Sequence, residues 1–393
     1  MKTVLISGAS VAGLTLAHWL RRRGYAPTVV ERAPALRPGG QALDVRGVAL
    51  DVIDRMGLLA EARAVRTRMG GMTMLDGDGK EVWRSTEMTL SSGRLDSDDI
   101  ELLRDDLTEL LYGRTREGVE YLFGDSIATL DNDEDEDGEG EGGGGGAGVR
   151  VSFERAPART FDLVIGADGL RSKVRQLAFG DEGCDDGRYL RPLGPHVAVF
   201  STDNFVNLDN WQVWLDDGTA TYCLYPVRDN SEIRATLGFR SEPPAYDHRD
   251  IEQQKALVAG GLGHLGGDTP QLLKGMWAAS DFYFDAVAQV RMDHWSRGRC
   301  ALVGDAGYSP SLLSGQGTSV ALVGAYVLAD ELGKVLEGAG GGVGVGHRAA
   351  FARYEERLRP FVELNQELAI ENSGSRAAEE SIERAKNAIS LDS

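Results

Sequence analysis

Three short turns hold the residues best suited to chemistry, and all three pair glycine with a serine or an aspartate. The first is Gly8-Ala9-Ser10-Val11-Ala12-Gly13, between an apolar run at 3–7 and a helical periodicity over 11–23 that stops at Gly24. A strand, a tight turn and a helix bring free N–H groups and the positive end of a helix dipole to one point, which suits a pyrophosphate. Gly8 permits the sharp turn and Gly13 allows close helix–strand packing. Ser10 stands where such turns carry a second glycine, and it is small enough for close approach and can donate its hydroxyl. The next strand, 28–31, ends at Glu31, placed to accept ribose hydroxyls, and Arg32 beside it can lie over an adenine face. An acid there disfavours a 2′-phosphate, so NADP is not the expected occupant.

Two segments match the plain G-x-G-x-x-G spelling better and are rejected. Gly261 to Gly266 follows a helical stretch and Gly143 to Gly148 sits in low complexity, whereas the mechanism needs strand, turn and helix in that order. The turn at Gly8 does not by itself choose between FAD and NAD. The second and third turns bear on that choice through the resemblance they carry. Ala167-Asp168-Gly169-Leu170-Arg171-Ser172-Lys173-Val174-Arg175 follows the buried run 161–166, and Gly304-Asp305-Ala306-Gly307-Tyr308-Ser309-Pro310 follows the run 299–303.

Taken in order, the three turns resemble the signatures of the class A FAD-dependent aromatic hydroxylases, the para-hydroxybenzoate hydroxylase superfamily. The resemblance covers roughly residues 1–365 and is nearest in flavour to stand-alone polyketide- and tetracycline-modifying members. It implies that Asp305 binds the ribityl hydroxyls, that Pro310 shapes a wall beside the isoalloxazine, and that Asp168 reaches toward FAD and the nicotinamide region or is purely structural. It implies that Arg104 reaches the FAD diphosphate, that Asp44 and Arg46 lie in a loop near the flavin, and that Ile127 contacts the cofactor. Ser314-Gly315-Gln316-Gly317-Thr318 opens a long helix whose N–H groups would cradle the pyrimidine end of the ring, with Gly315 and Gly317 leaving the backbone bare. The family often has His after Gly-Asp-Ala; Gly307-Tyr308 stands there instead.

The implied activity is monooxygenation: NADPH or NADH docks transiently, O2 gives a flavin hydroperoxide, and an aromatic or polyketide-like small molecule is hydroxylated. No second nucleotide-binding βαβ unit is visible, which suits a transient reductant. The cofactor carries this chemistry, so no catalytic acid or base is expected. Trp211, Trp214, Tyr222, Phe239 and Phe284, with Trp277 and Phe282, are candidates for the substrate face, although aromatics more often build cores. Trp211-Gln212-Val213-Trp214 is similar to the halogenase tryptophan pair, but the spacing differs by one and Ile-Pro does not follow. A flavin-dependent halogenase or reductase, and a non-catalytic flavin- or ligand-binding protein, are the rival readings.

These residues demand an α/β fold: a discontinuous Rossmann-like FAD-binding domain, an antiparallel-sheet substrate domain and C-terminal helices. The expected division is 1–73, 98–182 and 290–337 for the first, 74–97 and 183–289 for the second, and 347–393 for the helices. Residues 98–116 read as one helix, 119–130 and 149–154 as two strands, and 211–215, 219–227 and 233–239 as antiparallel strands. Between them, 131–148 is an acidic run followed by glycines, expected to be a disordered insertion. A net charge of −19 disfavours nucleic acid, and no apolar run approaches the roughly 20 residues of a membrane span. Cys184, Cys223 and Cys300 suggest no disulfide framework, and the six histidines and the absence of a G-x-S-x-G elbow suggest neither a metal site nor a hydrolase triad. A cytoplasmic monomer or homodimer is expected.

Overall fold

The computed structural model describes residues 1–132, 148–180, 186–240, 246–247, 250–338, 346–374 and 377–392. Residues 133–147 of the expected insertion, and Cys184, lie outside them.

β1 (Thr3–Ser7), α1 (Val11–Arg22) and β2 (Ala26–Glu31) form the N-terminal βαβ unit. The sheet they begin has six strands, in the order Ser296–Arg297, Cys300–Leu302, Leu163–Gly166, β1, β2, Glu120–Phe123. All neighbours are parallel except the first pair. Parallel strands covered on both faces read as unbroken apolar runs, and Val4, Leu5, Ile6, Val164, Ile165, Ala301 and Leu302 have no exposed surface. α1 packs on the long helix Gly317–Gly338, where Trp19 meets Tyr326 edge to face at 5.0 Å. The helix His347–Gly374 lies on the same long helix. Its Arg357 reaches Asp330 at 3.0 Å and Glu331 at 2.8 Å, giving two buried carboxylates the partners they need.

The second sheet has seven strands: Tyr283–Val290, Leu190–Asp203, Glu232–Arg240, Ala220–Val227, Gln212–Asp216, Met72–Leu75 and Glu81–Ser85. Its pairs are antiparallel apart from Gln212–Asp216 with Met72–Leu75. Helices Ile251–Leu262 and Thr269–Ala278 cover one face over a core that includes Phe200, Leu224, Ile233 and Leu237. Side chains alternate along a strand, so their neighbours point to the opposite face. Among the described residues no helix is long and apolar enough to cross a membrane.

Two expectations are corrected. Residues 98–116 are not one helix: Ile100–Leu103 is a strand paired with Ala42–Val45, and the helix runs Arg104–Gly113. The four residues Ile100 to Leu103 are all buried, which a strand under a second layer requires and a one-sided helix does not. Residues 119–130 are two strands, Glu120–Phe123 and Ile127–Asn132. They break at Gly124 (φ 72°), and the Asp125 carboxylate holds the turn by accepting from the N–H groups of Ser126, Arg155 and Ala156.

Candidate functional site

The three turns meet at the C-terminal ends of three adjacent parallel strands, where Ser7 pairs with Gly166 and Gly166 with Leu302. The contacts are too close for larger residues. A Cβ on Gly8 (φ 109°) would stand 2.5 Å from the Ala167 oxygen, and one on Gly13 would stand 1.9 Å from the Gly8 oxygen. A Cβ on Gly304 would reach the Ala12 methyl at 3.0 Å, so the third turn sits against the start of α1. At that start the N–H groups of Val11, Ala12 and Gly13 have no helical acceptor, and Ser10 caps nothing with its hydroxyl. Those free donors are what a pyrophosphate needs. Glu31 accepts from the N–H groups of Ala9 and Ala33, each at 2.9 Å, which fixes its carboxylate at the rim with lone pairs to spare. Arg32 is exposed beside it.

Asp305 is the one exposed residue in the otherwise buried run 300–311, so its carboxylate faces open space at the sheet's edge. The surrounding protein pushes its pKa up, while the Ser309 hydroxyl and the Arg175 guanidinium pull the other way. Arg175 has no exposed surface and donates to the Ala306 oxygen at 2.7 Å and the Leu170 oxygen at 2.6 Å, tying the second turn to the third. It lies within the second motif. Asp168 behaves differently from Asp305. Its carboxylate accepts from the Ser7 and Ser172 hydroxyls and from the N–H groups of Lys173 and Val174. These donors spend the carboxylate on holding β1 to the start of Lys173–Phe179, which favours the structural alternative for Asp168 over a ligand role.

Farther along, Gly315 adopts a left-handed conformation (φ 63°), and a Cβ on Gly317 would meet nothing within 4 Å, so both leave a bare backbone wall. Gln316 between them is fully buried, yet both its amide nitrogen and its amide oxygen lack partners. An orphaned amide costs free energy unless a ligand with complementary donors and acceptors meets it, and a flavin pyrimidine edge has both. Arg46 faces Gly315 and has a buried Nε without a partner. Its Nη2 bonds the Ser91 oxygen at 3.0 Å and Asp44 at 2.9 Å. Arg46 N–H is held by the Ser319 hydroxyl at 3.0 Å, which fastens this loop to the long helix.

Burial outweighs the Arg46 charge at Asp44, and with Glu101 nearby its pKa is pushed up to about 7. A carboxyl raised from 3.8 to about 7 on folding contributes stability that is full below the lower value and is lost as pH rises through the higher one. Denaturant unfolding should therefore show stability falling by a few kcal/mol, in order of magnitude, from about pH 4 to about pH 8 on account of this group. Asp44→Asn should flatten that slope; an unchanged slope would place the ionised form in the folded protein.

Arg104 is the first residue of its helix, and its Nε and Nη2 clamp the carbonyls of Arg37, Pro38 and Gly39. Nη1 is left over. Ile127 has no exposed surface and belongs to the first core, and Pro310 is buried with its oxygen accepting from Gln289 at 3.1 Å. The next residue, Ser311, holds φ 83°, a strained value for a side chain and a mark of a turn held by its surroundings.

The FAD binding domain family matches residues 1–366. The chain belongs to this FAD-binding family. It is 51% identical over 393 residues to an uncharacterized protein of Mycobacterium tuberculosis (strain ATCC 25618 / H37Rv), covering 100% of this chain and 99% of that one. It is 37% identical over 379 residues to a flavin-dependent monooxygenase of an unknown prokaryotic organism, covering 96% and 91%. The crystal structure of tetracycline destructase Tet(51) superposes with a TM-score of 0.85 at 32% identity, covering 100% of both chains. The protein is thus an FAD-dependent monooxygenase.

In this monooxygenase the aromatic candidates divide by face. Tyr222, Phe239 and Phe284 belong to the core under helices Ile251–Leu262 and Thr269–Ala278, so the expectation that they line the substrate face is corrected. Period-two alternation puts them on the side away from the first lobe. Phe282 packs against the same core, and Trp277 is an exposed helix residue. Trp214 lies on the other face with Cys223, Tyr225 and Leu103, and Trp211 is half-buried with its Nε1 on the Thr73 hydroxyl at 2.8 Å. Between them stands Gln212, fully buried. Its Nε2 donates to the Ser91 hydroxyl at 2.7 Å and its Oε1 accepts from Trp214 at 2.7 Å. Ser91 is also Arg46's partner, so Gln212, Ser91, Arg46 and Gly315 form one line of contacts from sheet to cradle.

Proposed function

We propose that the chain uses NAD(P)H and O2 to hydroxylate an aromatic or polyketide-like small molecule lying between the seven-stranded sheet and the glycine wall at Gly315 and Gly317. What carries the reading is the orphaned Gln316 amide beside that bare wall, with Trp214 held by Gln212 on the inner face of the sheet lobe. The likeness to a tetracycline destructase over the whole length supports a fused-ring substrate. Bound FAD supplies the oxygen-activating redox chemistry.

The chain's own residues bind and orient. The N–H groups at Val11 to Gly13 and the Ser10 hydroxyl hold the diphosphate, Glu31 accepts from the ribose, Arg32 covers the adenine, and Asp305 takes the ribityl hydroxyls. Gln316 and the first N–H groups of Gly317–Gly338 meet the pyrimidine edge, where the helix N-terminus favours negative charge. Arg46 backs the same region, and Arg104 shapes the loop at 37–39. Trp214, held in place by Gln212, orients the substrate, and the buried sheet excludes water. The domain division at 1–73, 98–182 and 290–337 against 74–97 and 183–289 is part of this reading, as are a cytoplasmic location and a monomeric or homodimeric state. Glu31→Ala should weaken FAD binding about tenfold, the value of one charge-assisted hydrogen bond, measured by fluorescence titration of apoprotein. Unchanged affinity would remove Glu31 from the site.

The decisive assay follows NADPH and NADH oxidation with and without tetracycline and simpler phenols, with product mass read in parallel. Substrate-stimulated oxidation and a gain of one oxygen atom are expected. Oxidation that no aromatic substrate stimulates, with no oxygenated product, would overturn the substrate class.

A further inference from the structure

Away from the glycine turns, a cleft of about 750 Å³ opens between the start of Leu190–Asp203, the segment 290–297 and the helix His347–Gly374. Five arginines line it, Arg188, Arg191, Arg291, Arg297 and Arg359, against the carboxylates of Asp293 and Glu363. In a chain of net charge −19 this is a local concentration of positive charge, with Glu363 and Glu367 close enough to Arg291 to act on it. Arg359 has a partner in Glu355 at 3.3 Å. Arg191 and Arg291 form no ion pair among the described residues. Among the described residues Arg191 donates only to the Arg188 and Leu190 oxygens, and Arg291 only to Gln289 Oε1, at 3.0 Å.

The second of these is held ready. Gln289 is almost fully buried and locked by its own bonds to the Pro310 oxygen at 3.1 Å and the Gln366 oxygen at 2.7 Å. Its oxygen therefore fixes Arg291 at Nε and leaves the two terminal nitrogens for a ligand. A guanidinium anchored in this way loses little freedom on binding, and its planar fork matches a phosphate with two parallel hydrogen bonds. The cleft also falls within the roughly 300–1,000 Å³ of small-molecule sites.

We propose that this cleft is a second ligand site, taking a small molecule that carries a phosphate or pyrophosphate group, with Arg191 and Arg291 as the recognising residues. It stands apart from the diphosphate receptor at the start of α1 and does not depend on the substrate assigned above.

The test is calorimetric titration of FAD-saturated protein, in which the first diphosphate receptor is filled, with inorganic pyrophosphate and with 2′,5′-ADP. Saturable binding is expected, weakened about tenfold or more by Arg191→Gln and by Arg291→Gln, and unaffected by Lys274→Gln on a remote exposed helix. Arg191 is exposed, so its variant keeps the test open if Arg291→Gln folds poorly. Tighter binding of 2′,5′-ADP than of pyrophosphate identifies the phosphate as that of a nicotinamide reductant, and equal or weaker binding identifies a separate phosphorylated metabolite. Absence of saturable binding, or equal weakening by Lys274→Gln, overturns the proposal. Because binding is read without turnover, this result is independent of the monooxygenase assay.

Discussion

Asp305→Ala is expected to purify largely without the yellow colour of flavin while keeping its fold. The side chain is exposed at the recess, and it makes no ion pair among the described residues, so its removal leaves the free protein intact. Its contribution falls on the cofactor. A carboxylate accepting from hydroxyls of a bound molecule is worth about 1.5–3 kcal/mol per bond, so losing it should weaken FAD binding by about ten- to a hundredfold for each bond lost. The measurement is the flavin-to-protein absorbance ratio after purification, followed by FAD titration and an unfolding curve. Full flavin occupancy in the variant would remove Asp305 from the site.

The second large effect is Gly13→Ala. The added methyl would stand 1.9 Å from the Gly8 oxygen, and that oxygen belongs to backbone that cannot rotate aside. α1 would have to move off the strand it follows, carrying with it the N–H groups proposed for the diphosphate. A loss of about 3 kcal/mol of stability, the upper end for overpacking, is expected together with loss of FAD. Gly260→Ala is the matched control. It lies in the helix Ile251–Leu262, is exposed, and its Cβ would meet nothing within 4 Å. That change should be neutral or stabilising by up to about 1 kcal/mol. If denaturant midpoints of the two variants agree, the close approach of Gly13 to Gly8 is not a constraint on the fold.

Legibility in the sequence followed the range of the interaction. The βαβ unit and the turn at Gly8 are local, since strand, glycine and helix periodicity lie within about thirty consecutive residues. The cofactor was legible for a different reason, because three separated turns, each after an apolar run, together resemble the signatures of one FAD-binding family. Local reading erred where a buried layer overrode it: Ile100 to Leu103 resembled a helix start because Asp98 and Asp99 precede it, yet pairing with Ala42–Val45 made it a strand.

What the chain determined by itself was the positions that must be glycine and the strand ends that present Asp305 and Glu31, because backbone conformation and close approach depend on a residue and its neighbours. What only the tertiary structure decided was which polar groups are already spent and which face open space. Asp168 and Asp305 stand in similar turns, but the donors of Ser7, Ser172, Lys173 and Val174 surround the first, whereas the second is exposed. Tyr222 and Trp214 belong to neighbouring strands, but the sheet's two-residue alternation and the helices on one face send them to opposite sides. Hydrogen-bond saturation and facing are properties of residues far apart in the chain, and they exist only once it has folded.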